Sequence, residues 1–271
     1  MSEGGFPRSV VVRGTGLMGS SLALAFRKYL PGVRVYGVDA EDVLDRARRI
    51  GAVESEPAPK KVDLIILATP VGTILQWLDG LPSSAELIMD VGSTKVAICK
   101  KAEARKLPFL GGHPMTGSER AGPEAASSEL FKGENFFLCP VATTPADALS
   151  KMKPVLEAIG ARPVLIDAAR HDELVAQVSH LPQILSTLLA DQTAENTDLA
   201  GPGWKSVTRL AASPFHVWRD ILETSGPLPE ELRSFTARLR AVLDALETGN
   251  MQQIEKIFDR ANRAVLGETH E

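Results

Sequence analysis

Cysteine is scarce. Two occur in 271 residues, Cys99 and Cys139, and neither stands in a Cys-x-x-Cys pair or at metal-ligand spacing. That spacing offers no disulfide framework and no metal site, so the expectation is a reduced, cytoplasmic protein. Long apolar runs are also missing: none approaches the roughly 20 residues that cross a bilayer. The opening Met1-Ser-Glu-Gly-Gly5 lacks the basic and apolar regions of a signal peptide. No membrane partner is expected. Positive charge is not in excess, with 30 Lys and Arg against 34 Asp and Glu and a net charge of −4. Without a basic stripe, nucleic acid is not an expected partner either. There are no internal repeats and no low-complexity segments. What remains is an ordinary globular composition, 44% hydrophobic and 24% charged, in a chain long enough for two domains or one large one.

The first informative stretch is Ser9-Val-Val-Val-Arg13, a short β-branched run. It ends in Gly14-Thr15-Gly16-Leu17-Met18-Gly19, which leads into a helix-compatible segment stopped by Pro31-Gly32. A second strand, Val33–Val38, follows, with Asp39 at its end. Strand, G-x-G-x-x-G, helix, strand and acid in this order form the dinucleotide-binding fingerprint. Each glycine has a physical task. Gly14 permits the tight turn, Gly16 admits a pyrophosphate to the backbone, and Gly19 lets helix and strand pack closely. Leu17 and Met18 fill the variable positions and open the helix, whose N-terminal N–H groups face the phosphates. Asp39 accepts hydrogen bonds from both ribose hydroxyls of NAD and repels the 2′-phosphate of NADP. Arg13 stands where a small or apolar residue is usual, either near the phosphates or facing solvent.

The alternation continues through strands at Asp63–Thr69, Leu87–Val91, Asn135–Cys139 and Arg162–Ile166. Polar landmarks fall just after strand ends: Thr69-Pro70, Ser93, and the histidine of Gly111-Gly-His-Pro-Met-Thr-Gly-Ser-Glu119. Glycine and proline mark that last segment as a loop after a short strand, Leu107–Leu110. Ligands of open α/β sheets bind at the carboxyl ends of the strands. That common placement raises His113 above a surface accident. After about Ala168 no strand-like run recurs. His171–Asn196 has helical periodicity, with Pro182 set to kink it or to start a new helix. Further helices are expected near Trp204–Ala211, Pro214–Leu222, Glu230–Glu247 and Met251–Leu266. The expected fold is an α/β Rossmann-type dinucleotide-binding domain, residues 1–168, followed by an all-helical substrate and dimerisation domain, residues 169–271. The apolar stripes of the helices suit a dimer interface.

In the helical half, Ser179-His-Leu-Pro182 places His180 beside a helix-disturbing proline. Arg209 lies among Val207 and Leu210. An arginine there needs a partner, either a ligand carboxylate held by a bidentate fork or an internal Asp or Glu. His216, Trp218 and Asp220 read as structural or interface residues, and His171-Asp172 as a helix start.

These pieces together resemble the prephenate/arogenate (cyclohexadienyl) dehydrogenases of tyrosine biosynthesis. The matching residues are Gly14–Gly19 with Asp39, Ala68-Thr-Pro-Val71, Asp90-Val-Gly-Ser-Thr-Lys95, Gly111–Glu119, Ser179–Pro182 and Val207–Ser213 leading to Trp218-Arg-Asp-Ile221. They run in the family's order over roughly Val10 to Leu222. The resemblance implies NAD as cofactor, a homodimer built through the helical domain, and oxidative decarboxylation of prephenate or arogenate. His113 would then accept the proton of the 4-hydroxyl, with Ser93 beside it touching hydroxyl and cofactor. Arg209 would bind a substrate carboxylate. His180, Gln183, Glu119 and Thr116 would line the substrate pocket. Thr116 stands where Ala is frequent. Gln183 stands where a second His is frequent in prephenate-preferring members, which leaves prephenate and arogenate both open. Some members carry an ACT domain or a fused chorismate mutase; the expectation here is neither. Two other readings compete. A β-hydroxyacid-type dehydrogenase would rely on a lysine of the helical half, Lys205 being the nearest. A catalytically silent NAD-binding regulatory protein would bind cofactor without turnover.

Overall fold

The β-branched run at the N-terminus is the strand from which the sheet grows in both directions. In a computed structural model, which describes residues 6–81, 85–117 and 120–267, β1 (Ser9–Arg13) pairs in parallel with β2 (Arg34–Val38) on one side and β3 (Val62–Leu67) on the other. Helix α1 (Leu17–Tyr29) joins β1 to β2, and α2 (Glu41–Arg49) carries the chain back to β3. Helix α3 (Val71–Gly80) leads to β4 (Ala85–Asp90), and α4 (Val96–Ala104) to β5 (Phe109–Pro114). Strand β6 (Asn135–Pro140), helix α5 (Ala148–Ala158) and strand β7 (Arg162–Leu165) complete a sheet of order β2-β1-β3-β4-β5-β6-β7. The chain changes direction across the sheet between β1 and β3. That switch point opens a crevice at the strands' carboxyl ends.

Both faces of the sheet are covered. Val10, Val12, Leu64, Ile66 and Met89 pack with Leu22 and Phe26 of α1 and Met152 of α5. The alternate residues Val11, Ile65, Leu67 and Ile88 pack with Ile74 and Leu78 of α3 and Ile98 of α4. Double coverage explains the uninterrupted apolar strands, since neither face needs polar residues.

One sequence expectation needs correction here. Gly111-Gly-His-Pro114 is not a loop but the last four residues of β5, buried throughout. It pairs antiparallel with β6, His113 opposite Phe137, while the other strand pairs of the sheet are parallel. The glycines are there for close packing. A Cβ on Gly112 would lie 2.5 Å from the Asp90 carbonyl oxygen, and one on Gly111 would lie 2.9 Å from Cys99 Sγ. The strand's glycines therefore reflect crowding, not a turn.

The helical part begins with α6 (Ala168–Val175), capped by Asp167, whose carboxylate accepts from Arg170 N–H. A π-helical turn, Ala176–His180, follows, and α7 (Leu181–Gln192) starts with Pro182 in its first turn. The wide turn is marked by Leu181 N–H bonding back to the Ala176 carbonyl. Pro182 has no N–H to continue an α-helical ladder into this turn. Then come α8 (Pro202–Thr208) and α9 (Phe215–Thr224). These elements belong to a compact unit, Met1–Gly226. A second unit, Pro227–Glu271, consists of α10 (Leu228–Glu247) and α11 (Met251–Leu266), joined by a turn in which Asn250 caps α11. Among the described residues no helix is long and apolar enough to cross a membrane.

Candidate active site

The glycine turn after β1 has the three features its motif demands. Gly14 adopts φ +97°, which an L side chain rarely accepts, and a Cβ there would lie 2.7 Å from the Ala68 backbone. A Cβ on Gly19 would overlap the Gly14 carbonyl oxygen, so α1 packs directly on the turn. At Gly16 nothing lies within 4 Å of a Cβ position, so the backbone there is open to a ligand. Leu17 and Met18 start α1, whose first N–H groups face the same opening. Asp39 ends up beside them. Its Oδ2 accepts from Thr15 N–H at 2.6 Å and Oγ1 at 3.2 Å, and its Oδ1 accepts from Ala40 N–H at 2.8 Å. The carboxylate is thus held in place with lone pairs to spare. Across the switch point, Thr69 Oγ1 is buried without a hydrogen-bond partner, one residue before the exposed Pro70. An open glycine, a helix N-terminus, a fixed carboxylate and an orphaned hydroxyl fit a dinucleotide. Arg13 stacks on Trp77 of α3: its guanidinium lies 5.0 Å from the ring centroid, and burial lowers its pKa.

A cavity of about 410 Å³ lies beside the ends of β4 and β5, within the range of small-molecule sites. It brings together Ser93, His113, Thr116, His180, Gln183 and Arg209, residues spread over more than a hundred positions of sequence. Trp218 also lines it, so this residue does more than hold the fold. Glu119 lies outside the described residues. Lys205 is exposed and not part of the cavity wall.

His113 sits at the cavity floor and is not alone. Its Nδ1 is 2.9 Å from Nε2 of His171, and His171 Nδ1 is 2.8 Å from Oδ1 of Asp172. Asp172 also accepts Lys95 N–H at 2.7 Å and Val96 N–H at 2.9 Å, at the first turn of α4. A carboxylate that accepts two backbone N–H groups takes the His171 Nδ1 proton as a third donor. His171 Nε2 is then an acceptor, so His113 donates from Nδ1. That leaves His113 Nε2 as the lone-pair nitrogen available to the cavity. The reading of His171-Asp172 as only a helix start is therefore incomplete: the dipeptide opens α6 and also orients the site's histidine. Burial, with His171, Lys95 and His180 adding to it, pushes the His113 pKa well below the ordinary histidine value. Lys95 is itself fully buried and paired with Asp90, whose two oxygens also accept Gly112 N–H at 3.2 Å and Gly92 N–H at 2.8 Å.

The other side chains divide their hydrogen bonds between cavity and scaffold. His180 Nδ1 is 2.8 Å from Ser225 Oγ, its ring stands edge-on to Trp218, and its Nε2 is buried without a partner. Burial lowers its pKa to about 4. Gln183 commits its amide N–H groups to the Leu210 carbonyl at 2.9 Å and Thr187 Oγ1 at 3.2 Å, leaving its carbonyl oxygen. Thr116 donates its hydroxyl to the Leu130 carbonyl at 3.1 Å. Arg209 is exposed where it lines the cavity and forms no ion pair among the described residues, so of the two partners its sequence setting allowed, an internal Asp or Glu is not seen there. Among the described residues no cluster of three His, Cys, Asp or Glu could hold a metal ion.

Comparison with known proteins agrees with this arrangement. Residues 22–165 match the family model of the prephenate dehydrogenase nucleotide-binding domain, and residues 167–260 that of the prephenate dehydrogenase dimerization domain. The chain is 31% identical to cyclohexadienyl dehydrogenase of Zymomonas mobilis, over 96% of this chain and 95% of that one. It is 33% identical to prephenate dehydrogenase of Bacillus subtilis, over 79% of this chain and 63% of the longer relative. Its fold matches the crystal structure of A. aeolicus prephenate dehydrogenase in complex with hydroxyphenyl propionate and NAD+, with a TM-score of 0.88 at 24% identity, covering 96% of this chain and 98% of that one.

Proposed function

The chain belongs to the prephenate dehydrogenase family, and from that premise we propose that it oxidatively decarboxylates prephenate to 4-hydroxyphenylpyruvate, or arogenate to tyrosine, in tyrosine biosynthesis. The observation that carries this reading is the line Asp172–His171–His113, which leaves Nε2 of His113 to the cavity. NAD+ bound at the Gly14–Gly19 turn supplies the hydride acceptor. Gly16 and the α1 N-terminus hold its pyrophosphate, and Asp39 accepts its ribose hydroxyls. His113 Nε2 accepts the hydrogen bond and proton of the substrate's 4-hydroxyl as positive charge develops on the ring. The low pKa of His113 keeps the imidazole neutral and ready for that step. His171 and Asp172 steady the charge that forms on it. Ser93 places the hydroxyl and the nicotinamide side by side, and Arg209 grips a substrate carboxylate. His180, Gln183 and Thr116 shape the rest of the pocket. The ring carboxylate leaves as CO2 and the ring becomes aromatic, which provides much of the driving force.

We assign residues 1–168 to the cofactor and residues 169–271 to the substrate and to a homodimer. Leu239, Leu243 and Leu246 of α10 and Phe258 and Val265 of α11 are exposed at helical spacing, which suits a second copy of the chain. Cys99 and Cys139 are free and buried, in keeping with a reduced cytoplasmic setting. An exposed Lys205 argues against the β-hydroxyacid reading. The test is His113→Asn. Its kcat should fall by roughly 10²–10⁴ with NAD+ binding intact; an unchanged kcat contradicts the assignment.

A further inference from the structure

Helix α9 supplies Val217, Trp218 and Ile221 to the cavity wall, yet it is fastened to the nucleotide-binding half. At its middle, Asp220 Oδ2 accepts Gly72 N–H at 2.7 Å. Gly72 is the second residue of α3, two places after Pro70. At its end, Thr224 donates its only hydroxyl proton to the Asp220 carbonyl at 2.6 Å. The Thr224 oxygen therefore accepts from Thr94 Oγ1, 2.7 Å away. Thr94 directly follows Ser93, which lines the cavity. One helix thus grips the first turn of α3 and the loop after β4.

The grip at Gly72 is built for a carboxylate. A Cβ there would lie 2.9 Å from Asp220 Oδ2 and 3.2 Å from its Cγ, so the carboxylate occupies the space of a side chain. A negative charge at the N-terminus of α3 also meets the positive end of the helix dipole. Nothing in the proton-transfer step uses Asp220, although it belongs to the Trp218-Arg-Asp-Ile221 run.

We propose that Asp220 is a positioning residue: with Thr224 it clips α9 to the first turn of α3 and to the β4–α4 loop, and so fixes the substrate wall relative to the cofactor. Resting on the dehydrogenase reading above, this role concerns alignment of two bound molecules rather than contact with either. Hydride transfer needs the reacting atoms about 3–3.5 Å apart and aligned, and a misplacement of about 1 Å can cost roughly 10²-fold, so a loose wall costs rate more than cofactor affinity.

The experiment compares Asp220→Ala, Gly72→Ala, their double variant and Asp220→Asn. Each single alanine variant should lose about tenfold or more in kcat/KM for prephenate, the scale of a charge-assisted hydrogen bond. Calorimetric NAD+ affinity, measured without substrate, should stay within about threefold. The double variant should be no worse than Asp220→Ala, because the added methyl fills the space the carboxylate left. Asp220→Asn should recover most of the rate, since its amide oxygen still accepts Gly72 N–H. Wild-type kcat/KM in Asp220→Ala, or additive losses in the double variant, would overturn the proposal. If Asp220→Ala does not fold, Thr224→Val carries the test and should lose several-fold in kcat/KM; no loss overturns it. Hydrogen exchange separates this proposal from the activity it rests on. Asp220→Ala should speed exchange of the α9 amides even if the wild type turns over neither prephenate nor arogenate; unchanged exchange would count against the clip alone.

Discussion

His113 Nδ1 and His171 Nε2 lie 2.9 Å apart, although 58 residues separate them in the chain. The two rings meet edge to face, with centroids 5.0 Å apart, and Phe137 stands edge-on to His171, 5.3 Å away. The pair is thus held by packing as well as by its hydrogen bond. Asp172 then fixes which nitrogen carries which proton. Replacing Asp172 by Asn keeps the shape and removes the charge that sets this order. Its kcat for prephenate should fall by roughly 10²-fold with KM nearly unchanged, as expected for an interaction felt in the transition state. Steady-state kinetics of Asp172→Asn beside wild type checks this, and an equal kcat would mean the line of proton donors has no catalytic role.

Arg209 is exposed at the cavity lip with no internal counter-ion among the described residues. Its guanidinium is available to a substrate carboxylate. Arg209→Ala should cost about 1.5–3 kcal/mol in kcat/KM, roughly 10- to 150-fold, mostly through KM. Arg209→Lys should recover only part, because an ammonium lacks the planar fork. A KM unmoved by Arg209→Ala would place the carboxylate elsewhere.

Asp39 holds Thr15 and Ala40 and presents a fixed negative charge beside the open Gly16. Asp39→Asn should lower kcat/KM with NAD+ by about tenfold and raise the relative use of NADP+, because the repulsion of a 2′-phosphate is gone. The ratio of the two kcat/KM values is the readout, and a ratio equal to that of wild type would contradict the role.

Stability should weaken on the acid side. Burial lowers the pKa values of His113, His171 and His180, the last to about 4. A group whose folded pKa lies below its unfolded value stays neutral in the fold while the unfolded chain takes up a proton. Its contribution is complete above pH ~6.5 and is lost as pH falls toward the folded pKa, at up to about 1.4 kcal/mol per pH unit for each group. Urea unfolding at pH 7.5, 6 and 5 should show this decline. His180→Asn should reduce its slope, whereas a slope equal to wild type would place the acid sensitivity in other groups.

The cofactor half was legible in the sequence because its signals are local. Gly14, Gly16 and Gly19 sit within six residues, and Asp39 closes the next strand. His113 was also visible, but its setting was not. Glycines that mark turns also permit close strand packing, and only the approach of the Asp90 carbonyl and Cys99 Sγ decides between them. His171 and Asp172 were hidden by distance: a His-Asp pair at a helix start has an ordinary local explanation, and its link to His113 exists only after β5 and α6 meet. Asp220 was hidden for the same reason, 148 residues from the Gly72 it holds. The one sequence signal that could have found the first pair is a histidine and an aspartate adjacent in the helix that directly follows the last strand. Arg209 was visible as a residue in want of a carboxylate, but its exposure was not. Its apolar neighbours suggested burial, yet the 3₁₀ turn Arg209–Ala212 leaves it at the surface.

The most direct measurement is NADH formation by the purified protein with NAD+ and either prephenate or arogenate, with CO2 collected. At least one substrate should yield NADH and CO2 in equal amounts, and the ratio of kcat/KM values would then report the preference that Gln183 leaves open. NAD+ binding without NADH from either substrate would contradict the dehydrogenase account.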